Sequence, residues 1–274
     1  MNFSVIMAVY KNDNVSYFER ALESISIDQT VKPKQIVVIQ DGKVSSKIDE
    51  IITCIENKCT EIEFSVLKKD KNEGLAAALN DGIALCKYDW IARMDADDIS
   101  IPNRFELQIK AIENNRDIAV IGGDIAEFNE VPGDLHSERH VGKTIEDIRK
   151  MAKKRTPLNH VTVMYLKSAV LQVGGYSVDF GKLEDYKLWV DLIASEVKIV
   201  NINNILVNVR VGSGFTSRRS NKREIYDWDN LQKYLISTGI VTPFEALMNR
   251  LYIRGFTYLP GWIKRVAYKF LLRG

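Results

Sequence analysis

The stretch "EFSVLKKDKNEGLAAALNDGIALCKYDWIARMD", residues 63–95, decides the fold. Residues 63–70 read as a strand, 74–87 as a helix rich in alanine and leucine, and 89–95 as a second strand. Strand, helix and strand repeating at about 30 residues mark a βαβ unit and therefore a parallel sheet. The rhythm runs back to the N-terminus. "FSVIMAVY" (3–10) is a near-continuous apolar run, as a strand buried on both faces requires. "SYFERALESISI" (16–27) places Phe18, Leu22 and Ile25 at helical spacing, "KQIVVIQD" (34–41) is the next strand, and "KIDEIITCIEN" (47–57) the next helix. Crossovers of this kind are right-handed. A further strand falls at 118–128.

Beyond that point the rhythm breaks. Residues 129–157 carry Pro132, Gly133 and many charges, and read as a loop followed by a helix near 144–153. Residues 161–176 and 198–211 read as strand and helix pieces of the same domain, and the Gly, Ser and basic stretch 211–224 as a mobile loop. Residues 244–274 mix aromatic and apolar residues with Arg250, Arg254, Lys264, Arg265, Lys269 and Arg273. They read as two short amphipathic helices broken near Pro260 and Gly261, suited either to an anionic membrane surface or to packing on the domain.

Of the 274 residues 46% are hydrophobic and 27% charged, and the net charge is +2, so nothing global argues for a nucleic-acid partner. The three cysteines, Cys54, Cys59 and Cys86, show no CxxC spacing and read as reduced thiols in a cytosolic setting. The N-terminus lacks a basic n-region and a cleavage site, and no apolar run approaches the roughly 18 residues of a membrane span. Membrane contact, if made, is expected to be peripheral.

Chemistry gathers on acids. Asp41, Asp70 and Asp95 end the second, third and fourth strands. Ligands of open parallel sheets bind outside the carboxyl ends of the strands, so three aspartates on one rim outline a site. The plain alternative is that aspartates after strands cap helices. Asp97 and Asp98 thicken the cluster, and Asp95 and Asp97, two apart, share one face of an extended segment. Such oxygens suit Mg, Mn or Ca. An EF-hand does not fit, because Ile99 and Ser100 stand where a ligand and a glycine are needed, and Pro102 follows. "VGKT" (141–144) is not a phosphate loop, since Ser137 stands where its first glycine would be, and no GxGxxG follows the first strand.

"SVIMAVYKND", "VVIQDG", "KNEGLAAALNDGI", "IARMDADDISIPNRFELQ", "LNHVTVMY" and "LEDYKLWVDLI" occur in this order over about residues 2–212. The ordered set resembles the family 2 glycosyltransferases, most closely the bacterial enzymes of O-antigen and exopolysaccharide synthesis. The resemblance implies a GT-A fold: α/β, with a Rossmann-like, mostly parallel central sheet flanked by helices. Residues 1–215 would form the catalytic domain and 216–274 a helical C-terminal extension. It implies a UDP-sugar donor bordered by Ala8, Val9, Tyr10, Asp41, Asp70, Asn72 and Gly74, with Arg93, Asp95, Ala96, Asp97 and Arg210 on the donor side. Asp97, assisted by Asp95, would hold a divalent Mn2+ or Mg2+, and Asp185 would be the catalytic base. His160, Glu184 and Tyr186 are acceptor-side candidates. A lone histidine is more often structural, and Tyr186 and Trp189 suit core packing.

The implied reaction inverts the anomeric centre. It moves galactose or glucose from the UDP-sugar to an N-acetylhexosamine on a lipid diphosphate (undecaprenyl diphosphate), with a β1,3 linkage, in surface polysaccharide synthesis at the inner face of the cytoplasmic membrane. Oligomerisation stays open. The chain departs from the family pattern at Gln40, where an acid is usual, at Leu79, where a basic residue is common, and at Gly212 and Ser213, where a histidine often follows Arg210. Arg210, Arg218 and Arg219 are then the candidates to reach the diphosphate. Two other readings stand beside this one. A sugar-phosphate nucleotidyltransferase would need a Gly-rich loop after the first strand, which "VYKNDNVSYFE" lacks. A metal-dependent carbohydrate-binding domain would need neither Asp185 nor a nucleotide pocket.

Overall fold

A computed structural model describes residues 1–211 and 222–258. The first half alternates as its periodicity demands: β1 (Phe3–Val9), α1 (Val15–Ser24), β2 (Gln35–Gln40), α2 (Ser46–Lys58), β3 (Glu63–Lys68), α3 (Leu75–Leu85) and β4 (Trp90–Met94). Asn14 caps α1 by accepting from the amides of Ser16 and Tyr17, and Ser45 caps α2. The four strands lie in the order β3-β2-β1-β4, all parallel, so their carboxyl ends share one rim.

Period two explains why these strands are apolar throughout. Phe3, Val5, Met7 and Val9 of β1, with Ile36 and Val38 of β2, pack into one core beneath α1 and α2. Ile6, Val37, Ile39 and Ile91 face the opposite core with α3. Gly82 lets α3 close on the sheet, because a Cβ there would meet Ile39 Cδ1 at 2.6 Å.

The second half departs from the parallel expectation. It contains β5 (Ile99–Ser100), α4 (Arg104–Asn114), β6 (Val120–Phe128), β7 (Ser137–Arg139), α5 (Ile145–Ala152), β8 (Met164–Leu166), α6 (Lys167–Gln172), α7 (Glu184–Ala194) and β9 (Ile199–Arg210). The sheet continues β4-β8-β6-β9-β5, with β7 paired to β6. β8 runs antiparallel to both β4 and β6. The chain enters it from the rim, through a 3-10 turn at His160–Thr162, and therefore runs backwards. That reversal puts His160 beside the carboxyl end of β4. Residues 198–211, expected as strand and helix pieces, form one strand across a bulge opposite Gly123 and Asp124.

Helix α4 has no counterpart in the sequence reading because Arg104 and Gln108, both fully buried, interrupt its apolar face. Arg104 donates to the carbonyl of Arg93 at 2.9 Å, and burial, aided by the Arg93 charge, lowers its pKa to about 9. Helices α8 (Lys222–Ser237) and α9 (Pro243–Tyr258) follow, and a small third core joins Tyr186 and Val190 of α7 to Leu231, Leu235 and Ala246. The expected loop over 211–224 is helical from residue 222 onward. Its other residues 212–221, with Arg218 and Arg219, lie outside the described residues, as does 259–274 with the expected break near Pro260 and Gly261. The three cysteines are free. No helix among the described residues is long and apolar enough to cross a membrane.

Candidate active site

Four chain segments meet at the rim: the ends of β1, β2 and β4, and the start of α7. Asp41, just past β2, is 5% exposed. Its carboxylate accepts from the amides of Glu73 and Gly74, both at 2.9 Å, and its carbonyl accepts from Asn72 Nδ2 at 3.1 Å. Asp41 thus ties the loop after β3 to the rim. Gly42 permits the close approach, with φ +85° and a Cβ position 2.8 Å from the Asn72 amide nitrogen. Gly74 adopts φ +91° as the N-cap of α3. Asp70 and Asn72 are exposed, and Asp70 lies two residues beyond β3, a looser member of the rim than Asp41 and Asp95. Gln40 turns to α2 and donates to Asp49 at 2.6 Å, so position 40 does not face the site.

The acids after β4 are organised by one cation. Arg93, 3% exposed, holds Asp95 through both terminal nitrogens. Burial opposes its charge, but Asp95, Tyr176 and Asp98 outweigh that cost and keep the guanidinium above its ordinary pKa. Ala96 is buried. Asp98 is buried too and accepts from the Arg210 amide at 2.8 Å; burial and the neighbouring Asp95 and Asp97 charges push it far above the carboxylate range. Asp97 reaches solvent, yet the protein around it, with Asp95, raises its pKa to about 6. Asp13, in the turn after β1, joins this cluster: burial, with Asp97 and Asp95, raises it to about 6 although the Tyr10 amide donates to it at 2.9 Å. Tyr10 is 39% exposed at the same end of β1, beyond Ala8 and Val9. Arg210 sits on the Asp97 carbonyl (3.3 Å) and over the ring of Tyr17 (3.8 Å to the centroid).

Arg93 also reaches the other half of the site. Its charge acts on Glu184 and Asp185, at the start of α7, and Asp95 acts on Glu184 as well. The acids at 95–98 and at 184–185 therefore lie within the electrostatic reach of one guanidinium. Glu184 is 6% exposed, and its Oε2 has no hydrogen-bond partner. Burial first, and the adjacent Asp185 charge second, raise its pKa to about 7. Asp185 accepts from the Tyr186 amide at 2.7 Å, and Thr156 Oγ1 lies 3.5 Å away. Burial holds it above the usual range despite the opposing pull of Arg93 and Arg139. His160 Nε2 lies 2.8 Å from the Tyr176 hydroxyl, and the imidazole ring packs edge-on against Trp189. Burial and Arg93 depress its pKa well below 6.5, which favours the neutral ring.

Tyr186, an acceptor-side candidate that also suited core packing, takes the core position. It is 1% exposed, its hydroxyl donates to the Ala152 carbonyl at 2.8 Å, and its ring lies 6.1 Å from that of Trp228. Such a ring cannot stack on a sugar. Asp13, Arg139 and Tyr176 are the site residues that sequence reasoning missed. Asp13 stood in the quoted "VYKND", and its position just past β1 was the available signal.

The chain matches the family model "Glycosyl transferase family 2" over residues 4–174. It belongs to that family. An "Uncharacterized glycosyltransferase" of Haemophilus influenzae is 36% identical over the full length of both chains. The "UDP-Gal:alpha-D-GlcNAc-diphosphoundecaprenol beta-1,3-galactosyltransferase" of Escherichia coli is 31% identical, over 99% of this chain and 96% of that protein. Among solved structures, S. aureus TarS 1–349 in complex with UDP-GlcNAc superposes with a TM-score of 0.68 at 14% identity, covering 99% of this chain and 76% of that one. A Pyrobaculum calidifontis mannosyltransferase, PcManGT, in complex with GDP-Man and Mn2+ superposes at 0.63 and 14%, covering 97% and 72%. These place family 2 membership on a GT-A fold.

Proposed function

We propose that this family 2 glycosyltransferase transfers galactose or glucose, with inversion, from a UDP-sugar to an N-acetylhexosamine on a polyprenyl diphosphate. The linkage is β1,3 and the product a bacterial surface polysaccharide. The observation that carries the reading is the shared electrostatics of Arg93: the charge of this one buried cation acts on the donor-side acids and on Asp185. The Escherichia coli relative, matched end to end, supports the choice of donor and acceptor.

Nucleotide and sugar would lie along the rim between Tyr10, the Asp41-tied loop and Asp95. A divalent cation fits the residues present. The donors offered are hard carboxylate oxygens, and Asp97 opens to solvent. Among the described residues no group of three or more acid, histidine or cysteine side chains is placed to hold a metal ion by itself. Asp97 and Asp95 would hold the cation together with the diphosphate and water, as is usual for Mg2+. When bound, the cation offsets charge on the leaving diphosphate.

Asp185 takes the proton from the acceptor hydroxyl as that oxygen attacks the anomeric carbon from the face opposite the diphosphate. A base tuned upward by burial suits that task, and such help is worth about 10²–10⁴ in rate. Arg93 keeps enough of the surrounding acid ionised for the base to work. Residues 1–215 carry this chemistry, and the helices beyond form an extension packed on α7.

The test pairs a donor screen with one variant. UDP-galactose and UDP-glucose are offered with Mn2+ and a GlcNAc-diphospholipid acceptor, and Asp185→Asn is compared with the parent. Transfer is expected to fall by at least about a hundredfold while UDP affinity stays unchanged. Full activity of Asp185→Asn removes the assigned base.

A further inference from the structure

We infer that the outer face of α9 is a seat for an anionic lipid bilayer, an inference that builds on the lipid-linked acceptor proposed above. Helix α9 is apolar on its outer face as well as where it packs. Its inward face carries Ala246, in the small core with Leu231 and Leu235, Asn249, which donates to the Lys153 carbonyl at 2.7 Å, and Arg250, which pairs with Asp229 of α8. Its outward face carries Phe244, Leu247, Met248, Leu251 and Tyr252, between 49% and 71% exposed. These positions follow the i, i+3, i+4, i+7, i+8 pattern of a single stripe. An apolar stripe of that length facing solvent marks an interaction surface.

Charge selects the occupant. The sequence after residue 258, "LPGWIKRVAYKFLLRG", carries Lys264, Arg265, Lys269 and Arg273 and no acid. An exposed apolar and aromatic stripe followed in the sequence by cations without acids matches the interface of an anionic bilayer.

The attachment of α9 places the stripe usefully. Lys153, which pairs with Glu245 at 2.9 Å, follows Ala152, and the Ala152 carbonyl receives the Tyr186 hydroxyl. Tyr186 adjoins Asp185. The end of α5 thus links the lipid-facing helix directly to the segment that bears the base. A sugar carried on a membrane diphosphate would be presented to that side of the site.

The full-length protein is sedimented with vesicles of phosphatidylethanolamine and phosphatidylglycerol, or of phosphatidylcholine alone, none containing acceptor. Binding is expected on the anionic vesicles. In Phe244→Ser/Leu247→Ser/Leu251→Ser it falls at least about tenfold, while UDP-sugar hydrolysis is unchanged. A second variant, Phe244→Trp, reports insertion independently: brominated phospholipid should quench its added fluorescence relative to the parent. Undiminished vesicle binding by the triple variant, or absence of that quenching, overturns the inference. So does a parent dimer that the triple variant converts to monomer without any vesicle binding. Because acceptor-free vesicles are used, a failure of the proposed transfer reaction leaves this readout intact.

Discussion

Glu184→Gln should make the protein more stable, and only above a defined pH. In the folded chain the Glu184 carboxyl is buried, its Oε2 lacks a partner, and its pKa rises from 4.5 to about 7. At about 1.4 kcal/mol per unit, that rise corresponds to about 3 kcal/mol. The sign follows from proton binding. A raised folded-state pKa means that the native chain holds a proton the unfolded chain has released. The resulting stability is complete below pH 4.5 and disappears as pH climbs through about 7. Glutamine has no charge to bury, so its contribution is flat over that window. Urea unfolding of parent and variant at pH 4 and pH 8.5, without metal or nucleotide, checks this. Any mismatch between the amide and the carboxyl's contacts gives an offset equal at both pH values and cancels in the comparison. The stability difference should move toward the variant by about 3 kcal/mol between the two conditions. A difference independent of pH would show that the Glu184 charge is solvated, and would refute its placement in a buried pair. Coulomb interaction is mutual, so removing Glu184 also relieves Asp185. The acidic limb of the pH profile of kcat/KM should then shift to lower pH.

Three further outcomes follow from the same geometry. Arg93→Met removes the buried guanidinium that pairs with Asp95, whose side chain is 35% exposed, and should cost about 1–3 kcal/mol in urea unfolding; a loss below about 0.5 kcal/mol would mean that Arg93 does not organise the acids. Asp41→Ala strips the acceptor from the Glu73 and Gly74 amides, with an expected destabilisation of about 1–3 kcal/mol and weaker UDP binding by calorimetry. Unchanged UDP affinity would confine Asp41 to a structural role. Asp97→Asn should weaken UDP binding at least about tenfold when Mn2+ is present and leave metal-free binding alone. Equal loss in both conditions would contradict a cation held at Asp97.

The sequence by itself determined the first half of this protein. Two-faced apolar strands and one-faced helices at regular spacing admit little besides parallel βαβ units, and parallel strands necessarily bring Asp41 and Asp95 to a common end. The ordered motifs also named the family. Where side chains answered to distant neighbours, local pattern failed. Helix α4 was hidden by Arg104 and Gln108, whose burial is sustained by carbonyls of Arg93 and Thr162 that no local window contains. The acceptor side and the core were both open to Tyr186 until α5 supplied a carbonyl for its hydroxyl. The tertiary structure alone decided that one buried guanidinium governs the acids at both 95–98 and 184–185. Electrostatic energy depends on separation in space and on the surrounding dielectric, and neither is written in the order of residues along the chain.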